Sequence, residues 1–170
     1  LCFISEDGTP FGEEYTLVAI ADYILAKEKG NTVSNLSSTR ALADVTLQHG
    51  GNYFAAAVGE VNVVTKMKAE NAIIGGEGNG GVIFPESHYG RDALVGIGLF
   101  LTHLAGKNKK VSALRAEYPA YIMSKNKIEL SANLNVDLIL ATVAEQYKSE
   151  RVNTIDGVKI DFLDRWVHLR

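Results

Sequence analysis

A single cysteine, Cys2, in a chain of 170 residues excludes an internal disulfide. No C-x-x-C or H-x-x-x-H pair is present, so the common zinc frameworks are missing as well. Such sparse cysteine fits a reducing cytoplasm. Basic runs are equally scarce. None exceeds Lys107-Asn108-Lys109-Lys110, and with a net charge of −3 and a pI near 5.8 the chain has no electrostatic footprint for nucleic acid. Long apolar runs are absent too. The most apolar stretch, residues 93–105, is shorter than the roughly 20 residues a bilayer demands, carries His103, and has no signal-peptide layout around it, so it reads as a buried helix and no membrane partner is expected. What remains is ordinary: 46% apolar and 22% charged residues, at a length suited to one good domain or to one domain and part of another.

What stands out is one stretch, Ala72-Ile73-Ile74-Gly75-Gly76-Glu77-Gly78-Asn79-Gly80-Gly81-Val82-Ile83-Phe84-Pro85. Five glycines in its central seven residues cost folding entropy, so such a loop persists where the backbone needs φ > 0 or where something must come close, and a ligand is the natural candidate. Its only two side chains are Glu77, an acceptor, and Asn79, which both donates and accepts; together they suit neighbouring hydroxyls of a sugar ring. Gly76-x-Gly78-x-x-Gly81 also satisfies the dinucleotide fingerprint G-x-G-x-x-G. That fingerprint requires a helix opening within the motif and an acid about 20 residues on, whereas Val82-Ile83-Phe84-Pro85 reads as a strand closed by proline. A merely structural glycine turn is the other bland alternative.

Taken in order, residues 1–5 read as a short strand and residues 6–10 as a turn. From Glu13, the apolar positions Leu17, Val18, Ala21, Ile24 and Leu25 mark one helical face that ends at Gly30. Residues 31–37 lead to Ser38 and Thr39, expected caps of a helix bearing Leu42, Val45 and Thr46. Residues 53–58 form the next strand, and Glu60 is the first-turn acid of a helix through Val61, Val64 and Met67. This alternation calls for an α/β fold, a three-layer domain with a mixed, largely parallel sheet between helices and binding loops at the carboxyl ends of its strands. After a polar loop, Asp92 starts the apolar helix, and a short helix over residues 110–117 is stopped by Pro119, where the domain boundary is placed. The tail has another texture. Residues 121–130 read as a strand, residues 136–147 as a helix with Leu138, Ile139 and Val143 buried, and residues 152–160 as a hairpin on Asp156-Gly157, an incomplete α+β segment. Because the chain starts inside Leu1-Cys2-Phe3-Ile4 and stops just after Trp166-Val167-His168-Leu169, both ends are expected to be cut.

These residues carry a resemblance. Gly76-Glu77-Gly78-Asn79-Gly80-Gly81-Val82-Ile83-Phe84-Pro85 resembles the sugar-binding loop of the α-D-phosphohexomutases: phosphoglucomutase, phosphomannomutase and phosphoglucosamine mutase. Val33-Ser34-Asn35-Leu36-Ser37-Ser38-Thr39-Arg40, Val58-Gly59-Glu60, Gly90-Arg91-Asp92, Asp156-Gly157-Val158-Lys159 and Trp166-Val167-His168-Leu169-Arg170 follow in that family's order and spacing, so the likeness covers nearly the whole chain. Members of the family have four domains. The resemblance implies that residues 1–118 are the third, sugar-binding domain and residues 119–170 a linker and the opening of the fourth, phosphate-binding one. It implies an intramolecular phosphotransferase that moves a phosphoryl group between the 1 and 6 positions of a hexose phosphate by way of a phosphoserine and a bisphosphate. The phosphoserine and the aspartate-rich Mg2+ loop lie upstream of residue 1 by this likeness, so the fragment alone binds no metal, contains no catalytic residue and is inactive. Its partners are the hexose phosphate and the remaining domains of the same chain.

By the same resemblance, Glu77 matches the glutamate that grips sugar hydroxyls in two orientations, with Gly76, Gly78, Gly80 and Asn79 around it; many members have serine where Asn79 stands, and asparagine is longer. Arg170 matches the first residue of the phosphate loop. His88 and Arg91, in the loop after the sugar-binding strand, are possible substrate or phosphate contacts, the alternatives being a solvated histidine and an arginine paired with Asp92 or a helix end. Ser37 and Glu60 fall where some relatives have a basic residue, so that role is not carried over. His49, His103 and His168 are read as structural. Two other readings stand beside the mutase: a free-standing carbohydrate-binding module without catalysis, and a nucleotide-binding oxidoreductase fragment.

Overall fold

Apolar residues in the first 122 positions recur at two periods, and the computed structural model, which describes residues 1–131 and 133–170, turns them into helices over a sheet. The chain divides into two units, Leu1–Ile122 and Met123–Arg170, each with its own contacts.

In the first unit, β1 (Asn31–Asn35), β2 (Tyr53–Ala56), β3 (Ala72–Glu77) and β4 (Gly81–Ile83) form one sheet in the order β2-β1-β3-β4. β1 runs parallel to both β2 and β3, and β4 returns antiparallel to β3. Helices α1 (Glu13–Leu25), α2 (Ala41–Gln48), α4 (Ala93–Lys107) and the short α5 (Val111–Arg115) share one core with Ile74 and Val82, whereas α3 (Glu60–Ala69) shares a second core with Val33, Ala56, Ala72 and Ile83. The result is three layers, with the sheet buried on both faces. A bulge where β3 meets β1 lets Ala72 join the α3 core while Ile74, two residues on, joins the other.

The alternation of a strand then decides which face each later residue takes. Gly75 faces α3, where a side chain would press on Met67 Sδ at 2.6 Å, and Gly76 faces Leu17 of α1. Glu77 therefore turns back toward α3. Among the described residues, no helix is long and apolar enough to cross a membrane.

Several sequence expectations give way here. Residues 1–5 form no strand. They are tied to the turn after them by Ser5 N–H on the Thr9 carbonyl at 2.8 Å, Phe11 N–H on the Phe3 carbonyl at 2.9 Å and a lone Ile4–Pro10 bridge, while Phe3 stacks on Phe100 with centroids 3.7 Å apart. Ser38 does not cap α2, whereas the Thr39 hydroxyl accepts Ala41 N–H, the first of the helix, at 3.4 Å. The Ser38 hydroxyl donates to Asn35 Oδ1 (3.1 Å), Thr39 N–H is drawn to Glu14 Oε2 (2.6 Å), and Arg40 holds the cap position in helical conformation. The apolar α4 is not a buried helix either: only Gly96, Phe100 and His103 are covered, because α4 meets α1 and β4 along a single face, and Leu94 is 80% exposed.

In the second unit, α6 (Val136–Gln146), capped by Asn135 Oδ1 accepting Leu138 N–H at 3.0 Å, precedes an antiparallel sheet of β5 (Arg151–Asn153), β6 (Val158–Asp161) and β7 (Trp166–Leu169) in the order β5-β6-β7. The Asp156-Gly157 turn joins β5 to β6, with Gly157 at φ +70°. Its buried residues are Val158, Lys159 and Ile160, all on β6. Three short strands cannot cover a helix, so α6 has no buried residue and Leu138 is 64% exposed, contrary to the expected burial of Leu138, Ile139 and Val143. Residues 121–130 are not a strand, since no neighbouring strand exchanges hydrogen bonds with them.

Candidate functional site

β1 and β3 run in the same direction and end at the same edge, so their last residues, Asn35 and Glu77, lie side by side. Glu77 is only 6% exposed. A buried carboxylate must be hydrogen-bonded to remain charged, and three donors from three segments converge on this one. Asn35 Nδ2 (3.2 Å) and Gly59 N–H (3.3 Å) both donate to Oε1, and Arg91 Nη1 (3.4 Å) donates to Oε2. Gly59 is the cap of α3, so the carboxylate also sits at the positive end of that helix.

Arg91 is the hinge between Glu77 and the surface. Its Nε donates to Glu60 Oε2 at 2.7 Å and its main-chain N–H to Glu60 Oε1 at 3.0 Å. These two bonds, the main-chain one foremost, hold the Glu60 carboxyl below the ordinary glutamate range. The next residue, Asp92, caps α4 by accepting Val95 N–H (2.9 Å) and lies 3.0 Å from His88 Nε2; the Val95 bond first and His88 second hold its carboxyl below the usual aspartate range. Arg91 therefore does not pair with Asp92 but does pair at a helix end, with Glu60 at the start of α3. Its partners are two glutamates 31 and 14 residues away.

Beside this cluster opens a polar cavity of about 420 Å³, lined by Leu1, Glu60, Asn79, Gly80, Gly81, Val82, Arg91, Asp92 and Ala93. Asn79 and Gly80 thus meet Arg91 and Glu60 at its wall, with Glu77 beneath the guanidinium. His88 is turned to Asp92 and lies outside the lining. Arg170 belongs to the second unit, where its Nη1 donates to Asp156 Oδ2 at 3.0 Å. Asn79 Oδ1 is committed to Gly81 N–H at 3.1 Å, an Asx turn that shapes the loop.

Both causes expected of the glycines, a positive φ and close approach, are present in the loop. Of the five, only Gly80 has a positive φ, +82°. At Gly76 a Cβ would run into the Gly81 carbonyl across the hairpin, at Gly78 into the Glu14 carboxylate, and at Gly81 it would stand 2.7 Å from Arg91 Cδ. The protein itself, not a ligand, occupies the space beside these three residues.

Sequence reasoning missed Asn35, Gly59 and the Glu60–Arg91 pair. The signal for Asn35 was a polar residue ending an otherwise buried strand at the edge where Glu77 ends; no local pattern announces a pair 31 residues apart. A second polar cluster holds the helical layer. Asp22 on α1 takes Nε2 of His49, the residue that ends α2, at 2.7 Å, has His103 Nε2 of α4 at 3.3 Å, accepts the Tyr118 hydroxyl at 3.2 Å and lies 3.6 Å from Lys107. Burial and the Asp22 charge push the Tyr118 pKa upward, keeping its hydroxyl a donor. His168 donates Nε2–H to the Asp156 carbonyl at 2.6 Å.

A mixed sheet between two helical layers, with a polar cavity where its parallel strands end, defines an α/β/α domain. Residues 12–121 match the family model for phosphoglucomutase/phosphomannomutase, alpha/beta/alpha domain III. The phosphoglucomutase/phosphomannomutase of Thermococcus kodakarensis is 33% identical over 171 residues, covering 99% of this chain and 37% of that protein. A phosphoglucosamine/phosphogalactosamine mutase of Sulfurisphaera tokodaii is 37% identical over 115 residues, 66% of this chain and 25% of the relative. The crystal structure of a phosphoglucomutase/phosphomannomutase family protein from Burkholderia thailandensis superposes with a TM-score of 0.78 over 97% of this chain and 36% of that one, at 24% identity, and so shares the fold. The chain belongs to the phosphoglucomutase/phosphomannomutase family, and it spans little more than a third of the Thermococcus relative's length.

Proposed function

We propose that this chain is the sugar-positioning part of a phosphohexomutase, an enzyme that moves a phosphoryl group between the 1 and 6 positions of a hexose phosphate through a phosphoserine and a bisphosphate. The observation that carries the reading is Glu77, a carboxylate buried to 6% exposure at the end of β3 beside a polar cavity, in a domain that matches the family's third. Phosphoryl transfer is mostly a matter of positioning and charge stabilisation, and these residues supply the first. Glu77 accepts hydrogen bonds from two ring hydroxyls, the Asn79 amide reads a third group at the cavity wall, and the fixed α3 terminus keeps the carboxylate from turning away. A hydroxyl reaches Glu77 at Oε2, beside the long 3.4 Å bond from Arg91.

Among the described residues, no group of three or more His, Cys, Asp or Glu could hold a metal ion. On this reading the magnesium of the parent enzyme is held by other parts of it. The chain alone then lacks mutase activity, and interconversion of glucose 1-phosphate and glucose 6-phosphate by the purified chain would refute this. In the intact parent, Glu77→Ala removes a charge-assisted hydrogen bond and costs about 2 to 4 kcal/mol of transition-state stabilisation. An unchanged kcat/KM in that variant would dismiss Glu77 as a sugar ligand.

A further inference from the structure

Arg91 reaches carboxylates on two different elements. Glu60, the first residue of α3, is held by the main-chain N–H and Nε of Arg91, and the remaining edge of the same guanidinium faces Glu77. A guanidinium is planar and rigid, so fixing its Nε and its main chain fixes where Nη1 points. The outer pair is accessible, with side chains 45% and 33% exposed for Arg91 and Glu60, whereas Glu77 is buried. The accessible carboxylate therefore aims the cation at the buried one.

We propose that Glu60 is a positioning residue that acts through Arg91 on Glu77. This rests on the reading that Glu77 meets the sugar. With Glu60 in place, Arg91 gives Glu77 a single long donor, and Oε2 keeps a lone pair for a ring hydroxyl. Without Glu60, the freed guanidinium closes two-pronged on Glu77, the geometry arginine and carboxylate prefer, and competes with the hydroxyl. The ligand so favoured is the uncharged hydroxyl edge of a hexose phosphate. A merely structural Glu60, serving α3 as a first-turn acid, would leave Glu77 undisturbed when removed.

The test is heteronuclear NMR on the full 170-residue chain with Glu60→Gln, Arg91→Lys and the double variant. The reporter is the Asn35 side-chain amide, which is bonded to Glu77 Oε1 and lies on another strand from both mutated positions. In Glu60→Gln the Arg91 Nε–H resonance should broaden and the Asn35 amide should move, as it does in Arg91→Lys, with no further movement in the double variant. An Asn35 amide that stays still in Glu60→Gln, or single-variant shifts that simply add, overturns the proposal. Titration with glucose 6-phosphate should then show a rise in Kd of about 5-fold for Glu60→Gln, matching an exposed ion pair lost, and none beyond Arg91→Lys in the double variant. An unchanged Kd in Glu60→Gln also overturns it. If the wild-type chain binds no hexose phosphate, the proposed function fails, while the Asn35 reporter still decides whether Glu60 governs Glu77.

Discussion

Replacing Asp22 with Asn should loosen the whole helical layer of the first unit. The Asp22 side chain is 16% exposed and gathers His49 from the end of α2, His103 and Lys107 from α4, and Tyr118 from the segment after α5. Asparagine keeps one acceptor but turns an NH2 toward groups that are themselves donors, so at least one contact becomes donor against donor. Breaking a buried pair costs about 3 to 5 kcal/mol. His49, a quarter exposed, and exposed Lys107 bring that down to roughly 2 to 3 kcal/mol. At about 3 to 5 °C per kcal/mol for a unit of this size, the melting temperature at pH 7 should fall by about 6 to 15 °C. The pH dependence carries a sign. Burial raises the Asp22 carboxyl, but the bonds from His103 and His49 and the Lys107 charge outweigh it and hold it well below the usual range. A depressed carboxyl contributes stability that is complete above the unfolded value near 3.9 and is lost as pH falls toward the folded one. The gap between wild type and Asp22→Asn should therefore be widest at neutral pH and narrow below about pH 4. Urea titrations at pH 7, 5, 4 and 3 read it directly. A gap under 0.5 kcal/mol at pH 7, or one that does not narrow at pH 3, refutes the reasoning.

Gly76→Ala sets a methyl group against the Gly81 carbonyl and the β3–β4 hairpin; overpacking of this kind costs about 1 to 3 kcal/mol, measured as a lower urea midpoint with an unchanged slope. Phe100→Ala removes the ring that Phe3 stacks on and Phe11 meets edge-on at 5.0 Å, and should cost about 3 to 5 kcal/mol; a loss below 1 kcal/mol would mean that the N-terminal segment does not depend on that ring.

The α/β alternation was legible because it depends on period. Leu17, Val18, Ala21, Ile24 and Leu25 fall on one helical face whatever lies opposite, and they are buried in α1. Glu77 was legible for a different reason, as the one acid among glycines. Failures cluster where a partner decides the outcome. Residues 1–5 and 121–130 have strand composition, but a strand exists only when another strand pairs with it. Ser38 is a good cap whose hydroxyl was claimed by Asn35, while the Thr39 hydroxyl still meets the first N–H of α2. Leu138 and Leu94 lie on helices whose apolar positions outnumber the neighbours available to cover them. The Glu60–Arg91–Glu77 chain joins a helix start, a loop and a strand end, and nothing local in the sequence specifies it.

The charge of the cavity wall says which part of a hexose phosphate it suits. Glu60 and Asp92 line it and Glu77 lies just beneath, three carboxylates against the single guanidinium of Arg91, which is already shared between two of them. A phosphate placed there would meet net negative charge at close range, where unit charges about 4 Å apart interact by several kcal/mol at protein-like dielectric. A neutral hydroxyl meets no such penalty and offers the donor that a buried carboxylate lacks. The α3 terminus does not reverse this, because its cap N–H, that of Gly59, is already turned to Glu77. On the proposed reading, this end of the site therefore grips the ring. The cationic groups that hold the phosphate must come from elsewhere in the parent enzyme, which is the division of labour a sugar needs if it is to turn over with its two phosphates exchanging places.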